Sequence, residues 1–319
     1  MADQEITELN ENAAPSLSDL IVSEKDPAGT PETVKVYIRK ALALLGVTPG
    51  GRLTLTSGTP VTTTNVTGAT TIYYTPFVTN SIALYDGSAW QVVNFSEKSL
   101  ALGTVTSGLP YDVFGYLSSN DLALEKVAWT NSTTRATALA RVDGRVVKSG
   151  DTTRLYLGTF YTTSTTTTED SETKRLIWNY YNRVIRKVKV VDTTNNWTYS
   201  TTTWRSWNNS TANRIEILTG LAYDCIDLAF NGLAANSAGY SMGFGVGVDS
   251  TSVNSADTYT SAGSSGSVVY GQAKYTGIPS VGHHYYQALE IGGGSGTTTF
   301  YGDANTTYVQ AGLIGSCLA

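Results

Sequence analysis

Two histidines, His283 and His284, stand side by side in Val281-Gly282-His283-His284-Tyr285-Tyr286, and they are the chain's only imidazoles. Imidazole is the usual general base and a common metal ligand. Consecutive residues on a strand point to opposite faces, so the pair cannot serve one metal without a bulge. The one arrangement left for a metal is a symmetry axis on which three copies of a single histidine meet. Carboxylates cluster twice, at Asp224 with Asp227 and at Glu169, Asp170 and Glu172. A glycosidase needs two carboxyls about 5–9 Å apart across a cleft; the first cluster sits in an apolar strand context and the second in a threonine-rich loop. Cys225 and Cys317 belong to no CxxC or CxxH pattern, which removes the usual zinc and redox motifs. They can pair only if the fold brings their Cα atoms within about 7 Å, and two unpaired thiols are the expectation. No G-x-S-x-G elbow, no His-Glu-x-x-His and no P-loop is expected. Gly243-Phe244-Gly245-Val246-Gly247 lacks the strand-to-helix setting of a dinucleotide loop. The reading is therefore of a chain that is not an enzyme, with no catalytic, cofactor or metal residues.

The aromatic residues are a better lead. Twenty tyrosines and six tryptophans supply stiff, half-polar faces of the kind used between subunits and against sugar rings. Only 15% of the 319 residues are charged and the net charge is −5, against roughly 25% charged in an average soluble domain. Thr, Ser, Asn and Gly must keep the surface wet instead, and β-branched Thr suits a half-exposed strand. A negative balance argues against a nucleic-acid partner, which would need clustered Lys and Arg. The one basic run, Arg183 to Lys189 within Arg183–Val191, predicts a strand with one charged face. No run of about 18 apolar residues occurs, so no membrane span is expected. Met1–Glu5 is acidic and is followed by no apolar leader, which points to synthesis in a cytoplasm without an obvious export route.

The elements that must hold these residues are strands. Residues 1–48 are acidic with short apolar bursts: Ile6 and Leu9, then Leu20-Ile21-Val22. Asp26-Pro27-Ala28-Gly29-Thr30 spells a turn, Val34, Val36 and Ile38 alternate as a strand, and Ala41–Leu45 closes the segment as one helical turn. A unit this small buries little by itself and needs a partner surface. Thr48-Pro49-Gly50-Gly51 breaks the chain. Residues 49–184 then show short strands with hairpin turns at Tyr85-Asp86-Gly87-Ser88 and Asp143-Gly144, the rhythm of a β-sandwich or barrel. Ser164–Asp170 reads as a loop or edge, and Glu172–Asn182 as a boundary element with one short helix, whose Trp178, Tyr180 and Tyr181 should pack on a domain or a neighbouring subunit. Residues 185–319 form a second β domain. There Met242–Val248 has Gly243, Gly245 and Gly247 at alternate places, a nearly bare strand face that another sheet or chain can approach closely. Ser261–Ser267 and Gly292–Gly296 read as loops, and Thr307–Ile314 as the last strand.

Several of these segments resemble bacteriophage structural modules. Glu5-Ile6-Thr7-Glu8-Leu9, Ser18-Asp19-Leu20-Ile21-Val22, Asp26–Thr30 and Val34-Lys35-Val36 look like the short N-terminal module of phage fibre and related virion proteins. Tyr85–Trp90, Trp129-Thr130-Asn131 and Thr159–Thr165 through Trp178–Arg183 look like a middle module recurrent in phage genomes. Gly296–Asp303 with Gly312–Gly315 is similar to the last strands of trimeric jelly-roll heads. The resemblance implies an all-β chain with a short N-terminal attachment arm, a middle β-sandwich or barrel domain and a C-terminal jelly-roll-like sandwich. It also implies a homotrimeric virion part, assembled in the host cytoplasm and bound to tail, baseplate or capsid proteins through Ile6, Leu9, Leu20, Ile21, Val22, Val34, Val36 and Ile38. Trp178, Tyr180, Tyr181, Gly243, Gly245 and Gly247 are the candidates for contacts between copies, and a host-surface glycan or protein is the outward partner. A head decoration protein that stiffens the capsid and a tailspike that cleaves polysaccharide are the rival readings.

Overall fold

Alternating β-branched, aromatic and neutral polar residues give this chain strands almost throughout, and the only α-helix among the described residues is six residues long. In the computed structural model, the structure describes residues 19–25, 32–43, 46–260, 262–264 and 266–319. Ile6, Leu9 and the 26–30 turn lie outside them. Leu20–Lys25 pairs antiparallel with Glu32–Tyr37, from Leu20 opposite Tyr37 to Lys25 opposite Glu32. The helix Ile38–Ala43 follows directly, with Ile38 N donating to Asp19 O at 3.0 Å. Its sequence, Ile-Arg-Lys-Ala-Leu-Ala, is rich in good helix formers, and it lies against strand Trp90–Asn94 with Leu42 packed on the core behind.

The next segment builds three sheets. Gly51–Thr54, Thr71–Pro76 and Lys98–Ala101 form one. Ser81–Tyr85 and Trp90–Asn94 form a hairpin, whose turn is closed by Asp86 Oδ1 accepting from Ser88 N and Ala89 N at 2.8 Å each. The third is six-stranded, in the order Asp121–Ala128, Pro110–Ser118, Asp151–Tyr161, Arg145–Lys148 and Leu139–Val142, with Ile177–Asn179 also on Asp151–Tyr161. Both hairpin turns expected from Asp-Gly pairs are present. At the second, Asp143 and Gly144 have φ of 48° and 81°, the paired positive values that favour Asn or Asp followed by Gly. Leu53, Ile82, Val113, Leu155 and Phe160 centre a hydrophobic core drawn from this segment.

Beyond residue 184 two sheets face each other. One runs Ile185–Asp192, Ala311–Leu318, Ile226–Asn236, Val269–Gly277, Thr258–Thr260. Its inner face supplies Leu228, Phe230, Ala273 and Leu313, all fully buried. The outer face carries Ala229, Asn231, Tyr270, Gln272 and Thr276 around an exposed Asp227–Lys274 pair 3.6 Å apart. The opposite sheet runs Ala262–Ser264, Ser241–Val248, Gly282–Ile291, Arg214–Thr219, Lys174–Arg175, Thr168–Asp170, Val66–Ala69. Its last three strands come from before residue 184, so one sheet joins the two halves of the chain. The whole is an all-β sandwich architecture, as its composition predicts. No helix among the described residues is long and apolar enough to cross a membrane.

Four local expectations are corrected. Glu172–Asn182 holds no helix but the strands Lys174–Arg175 and Ile177–Asn179. Ile177, Trp178 and Asn179 are all buried, and the Asn179 amide takes the place of a ladder partner, accepting from Leu53 N at 2.7 Å and donating to Leu53 O at 3.2 Å. Thr168–Asp170 is no edge: it has strands on both sides. Ala262–Ser264, expected as loop, pairs with Ser241–Gly243. The last strand starts at Ala311, because Asp303–Thr306 forms a turn with positive φ at Ala304 and Asn305. The basic run also differs from its prediction. In Ile185–Asp192 the charges lie on both faces, Arg186 buried and Lys187 exposed, while Ile185 is 76% exposed.

Candidate functional site

A concave site lies where the Asp143-Gly144 turn meets strand Trp90–Asn94. A cavity of about 420 Å³ is lined there by Trp90, Asp143, Arg145, Tyr181 and the segment Gly46–Pro49. A second hollow of about 340 Å³ shares Val47, Thr48 and Pro49 and continues to Val78, Thr79 and Asn182. The Asp86 turn sets Trp90 at the start of its strand, and the Gly144 turn sets Asp143 and Arg145 on either side of one glycine. Trp90 Nε1 donates to Asp143 Oδ2 at 3.0 Å. The Arg145 guanidinium lies over the Trp90 ring, 4.4 Å from its centroid, a cation–π arrangement. Tyr181 comes from the end of the aromatic run. Burial, and then the neighbouring Tyr180, raises its hydroxyl pKa, so it stays neutral. The site thus offers aromatic walls, one cation and one anion.

The histidines split as strand geometry requires. His283 Nε2 lies 3.0 Å from Glu216 Oε2, and the ring stacks on Tyr161 at 4.1 Å between centroids. His284 faces the other way, Nδ1 2.7 Å from Asp249 Oδ2 and Nε2 3.0 Å from Ser280 O. Among the described residues no three His, Cys, Asp or Glu side chains gather as a metal site would need. Both imidazoles instead work as pinned contacts. Burial opposes the charge on Glu216, but the His283 hydrogen bond and the charges of Arg214 and Lys174 outweigh it and hold its pKa at about 2. The Asp249 hydrogen bond outweighs burial at His284 and raises its pKa above 6.5. A raised imidazole stabilises the fold below its unfolded pKa and stops doing so as pH climbs through the folded one. A lowered carboxyl stabilises above its unfolded value, 4.5 for Glu216, and fails as pH falls toward 2. Stability should therefore decline on both sides of a plateau between about pH 4.5 and 6.5. His284→Gln should flatten the alkaline arm by at most about 1 kcal/mol, since Asp249 is 44% exposed and screened. Urea unfolding at stepped pH measures this, and an unchanged alkaline arm would refute the assignment.

The candidate carboxylates are each matched to a cation. Asp224 faces Arg183 at 3.0 Å and Asp227 faces Lys274 at 3.6 Å. Glu169, Asp170 and Glu172 face Lys174, Arg175 and Lys187 respectively. One spacing escaped the sequence reading: Gly239-Tyr240-Ser241-Met242-Gly243 fits the G-x-S-x-G elbow. Here Ser241 opens a strand after the Gly239 turn, with no helix following, and both histidines are engaged elsewhere. Cys225 is exposed and Cys317 buried, both as free thiols. Burial pushes the Cys317 thiol up to about 12.

The residues singled out for contacts between copies are placed mostly inside the chain. The bare face of Gly243, Gly245 and Gly247 is already covered by its own residues. A Cβ on Gly243 would sit 2.8 Å from Ile291 Cγ2, one on Gly245 3.0 Å from Trp204, and one on Gly247 would strike the Ser250 carbonyl. The close approach is real, but it is made by Trp204 and the 250–254 segment. Trp178 is 2% exposed, while Tyr180 and Tyr181 are half-buried and meet edge-on at 4.7 Å. Of the attachment candidates, Leu20, Ile21, Val22 and Val34 lie in the N-terminal hairpin, and Val36 and Ile38 are half-buried at its junction with the helix.

No family model matches the chain, and no curated protein matches it. Among solved structures, a Bacillus thuringiensis Cry1Da tryptic core variant aligns over 96% of this chain and 58% of that one, at 8% identity and a TM-score of 0.18. The chain thus spans less than two thirds of that structure, and a TM-score so low carries no argument about fold or function.

Proposed function

We propose that the chain is a non-enzymatic structural subunit of a bacteriophage particle: a homotrimeric fibre protein anchored by its N-terminal arm, with its β modules turned to the host surface. The observation that carries this reading is the isolation of the arm. Among the described residues, Leu20–Lys25 and Glu32–Tyr37 pair with each other and with no other strand. A lone two-stranded hairpin is marginal in water, so it calls for a surface to dock on, while the helix after it is already packed on the body. The resemblance of the arm and tail to phage modules points the same way.

A chain lacking residues 1–37 should remain soluble with the mass of a trimer, yet no longer bind particles from which the protein is missing. Light scattering and co-sedimentation read the two halves of this expectation. A full-length mass equal to one subunit would remove the trimer, and undiminished binding by the shortened chain would remove the arm's role.

A further inference from the structure

We propose that the cavity between the Asp143–Arg145 turn, Trp90, Tyr181 and Pro49 binds one carboxylate-bearing sugar residue, of the hexuronate class. Its volume of about 420 Å³ falls within the range of small-molecule sites, about 300–1,000 Å³. Arg145 gives the site its sign. Three other arginines give their donors to carboxylates: Arg135 to Asp112, Arg175 to Asp170 and Arg205 to Glu290. Arg145 stacks on Trp90, and among the described residues no hydrogen bond or ion pair takes up its guanidinium edge. A planar fork held flat by a ring and left without an acceptor is shaped for a carboxylate, which it can meet with two parallel hydrogen bonds.

Asp143 is the second pole. It stands two residues from Arg145 across a tight turn, yet the two form no ion pair, because Trp90 Nε1 draws the Asp143 carboxylate away at 3.0 Å. That bond occupies Oδ2 and leaves Oδ1 to accept from sugar hydroxyls. A phosphate dianion would meet this carboxylate with one arginine to offset it, whereas a singly charged uronate has both an anion for Arg145 and hydroxyls for Asp143. Tyr181, half-buried beside the Arg145-covered Trp90 ring, offers an aromatic surface to a C–H face of a pyranose ring. The assignment rests on the host-facing reading above for the origin of the sugar alone.

The test is saturation-transfer NMR and Trp fluorescence titration of the full chain with D-glucuronate, with D-glucose as the uncharged control. Glucuronate should bind at least tenfold more tightly than glucose, and Arg145→Met should abolish that preference while the urea midpoint stays within error of the parent. Asp143→Asn, which keeps the turn and the Trp90 contact, should weaken both sugars together. No transfer to glucuronate, or equal glucuronate binding by Arg145→Met, would overturn the site whatever the oligomeric mass and particle binding show. Should Arg145→Met lower the midpoint, Asp143→Asn decides: glucuronate binding unchanged by it also overturns the proposal. Selective binding with a failed arm-deletion experiment would leave the site standing and remove the fibre.

Discussion

Replacing Asp170 by Asn should cost about 3–5 kcal/mol of unfolding free energy, the range for breaking a buried ion pair from one side. Asp170 is 7% exposed and Arg52 1% exposed. Asp170 Oδ1 faces Arg175 Nη1 and Oδ2 faces Arg186 Nη2, each at 3.0 Å, and Thr62 Oγ1 donates to Oδ2 at 3.3 Å. Arg52 lies in the same cluster, donating to Pro60 O at 3.1 Å, Ala319 O at 3.0 Å and Asn182 O. Burial, and next the charge of Arg186, brings the Arg52 pKa down to about 10, with Asp170 pulling the other way. Three guanidinium groups therefore depend on this carboxylate for balance. Asn keeps the shape and one acceptor but deletes the charge. The cluster ties the 60–62 turn, the strand Thr168–Asp170 and the strand Ile185–Asp192 together, so its failure should loosen both halves of the chain in one transition. Urea unfolding followed by Trp fluorescence measures the loss. A change under about 1 kcal/mol would mean that the backbone carbonyls alone hold the arginines.

Little of that cluster was legible beforehand. Asp170 sits at the end of a threonine run that reads as a loop, and nothing in the spacing says that Arg52 and Arg186 converge on it from distant strands. Burial decides a charge's role, and burial is a property of the sheet order. Local chemistry fared better. The Asp86-Gly87 and Asp143-Gly144 turns follow from backbone conformations that few residues adopt, and period-2 alternation located most strands. Where alternation mixed with charge it misled: Arg186 turns inward to Asp170, so the basic run has no single charged face. The alternate glycines at 243, 245 and 247 announced a close neighbour correctly and left its identity open. Ile291, Trp204 and the 250–254 segment fill the space, residues whose approach depends on the path of the intervening chain. The candidate site follows the same division. Asp143 was visible as a turn residue, but its separation from Arg145 depends on Trp90, supplied by a different hairpin.

Trp207→Ala should be the most damaging single truncation in the second core, about 3–5 kcal/mol. The sequence shows only that Trp197, Tyr199, Trp204 and Trp207 crowd together. In the fold Trp207 is fully buried and three rings meet it edge-on: Trp197 and Phe230 at 4.8 Å and Phe300 at 5.4 Å. Phe244 closes the group at 5.9 Å. Edge-to-face pairs add to area burial, and Phe230 and Phe244 come from opposing sheets, so the indole is the wedge between the layers. The position is built with some backbone effort, since Asn208 and Asn209 beside it hold φ of 54° and 50°. The indole N–H has no acceptor among the described residues, and that sets a second expectation. Trp207→Phe loses volume but also a buried unpartnered donor, whose desolvation costs about 1–3 kcal/mol. It should therefore lose less than half of what Trp207→Ala loses. Near-UV circular dichroism and urea midpoints of the two variants test this. Equal losses would mean that the N–H finds an acceptor after all and that the tryptophan is held there by its hydrogen bond rather than by its shape.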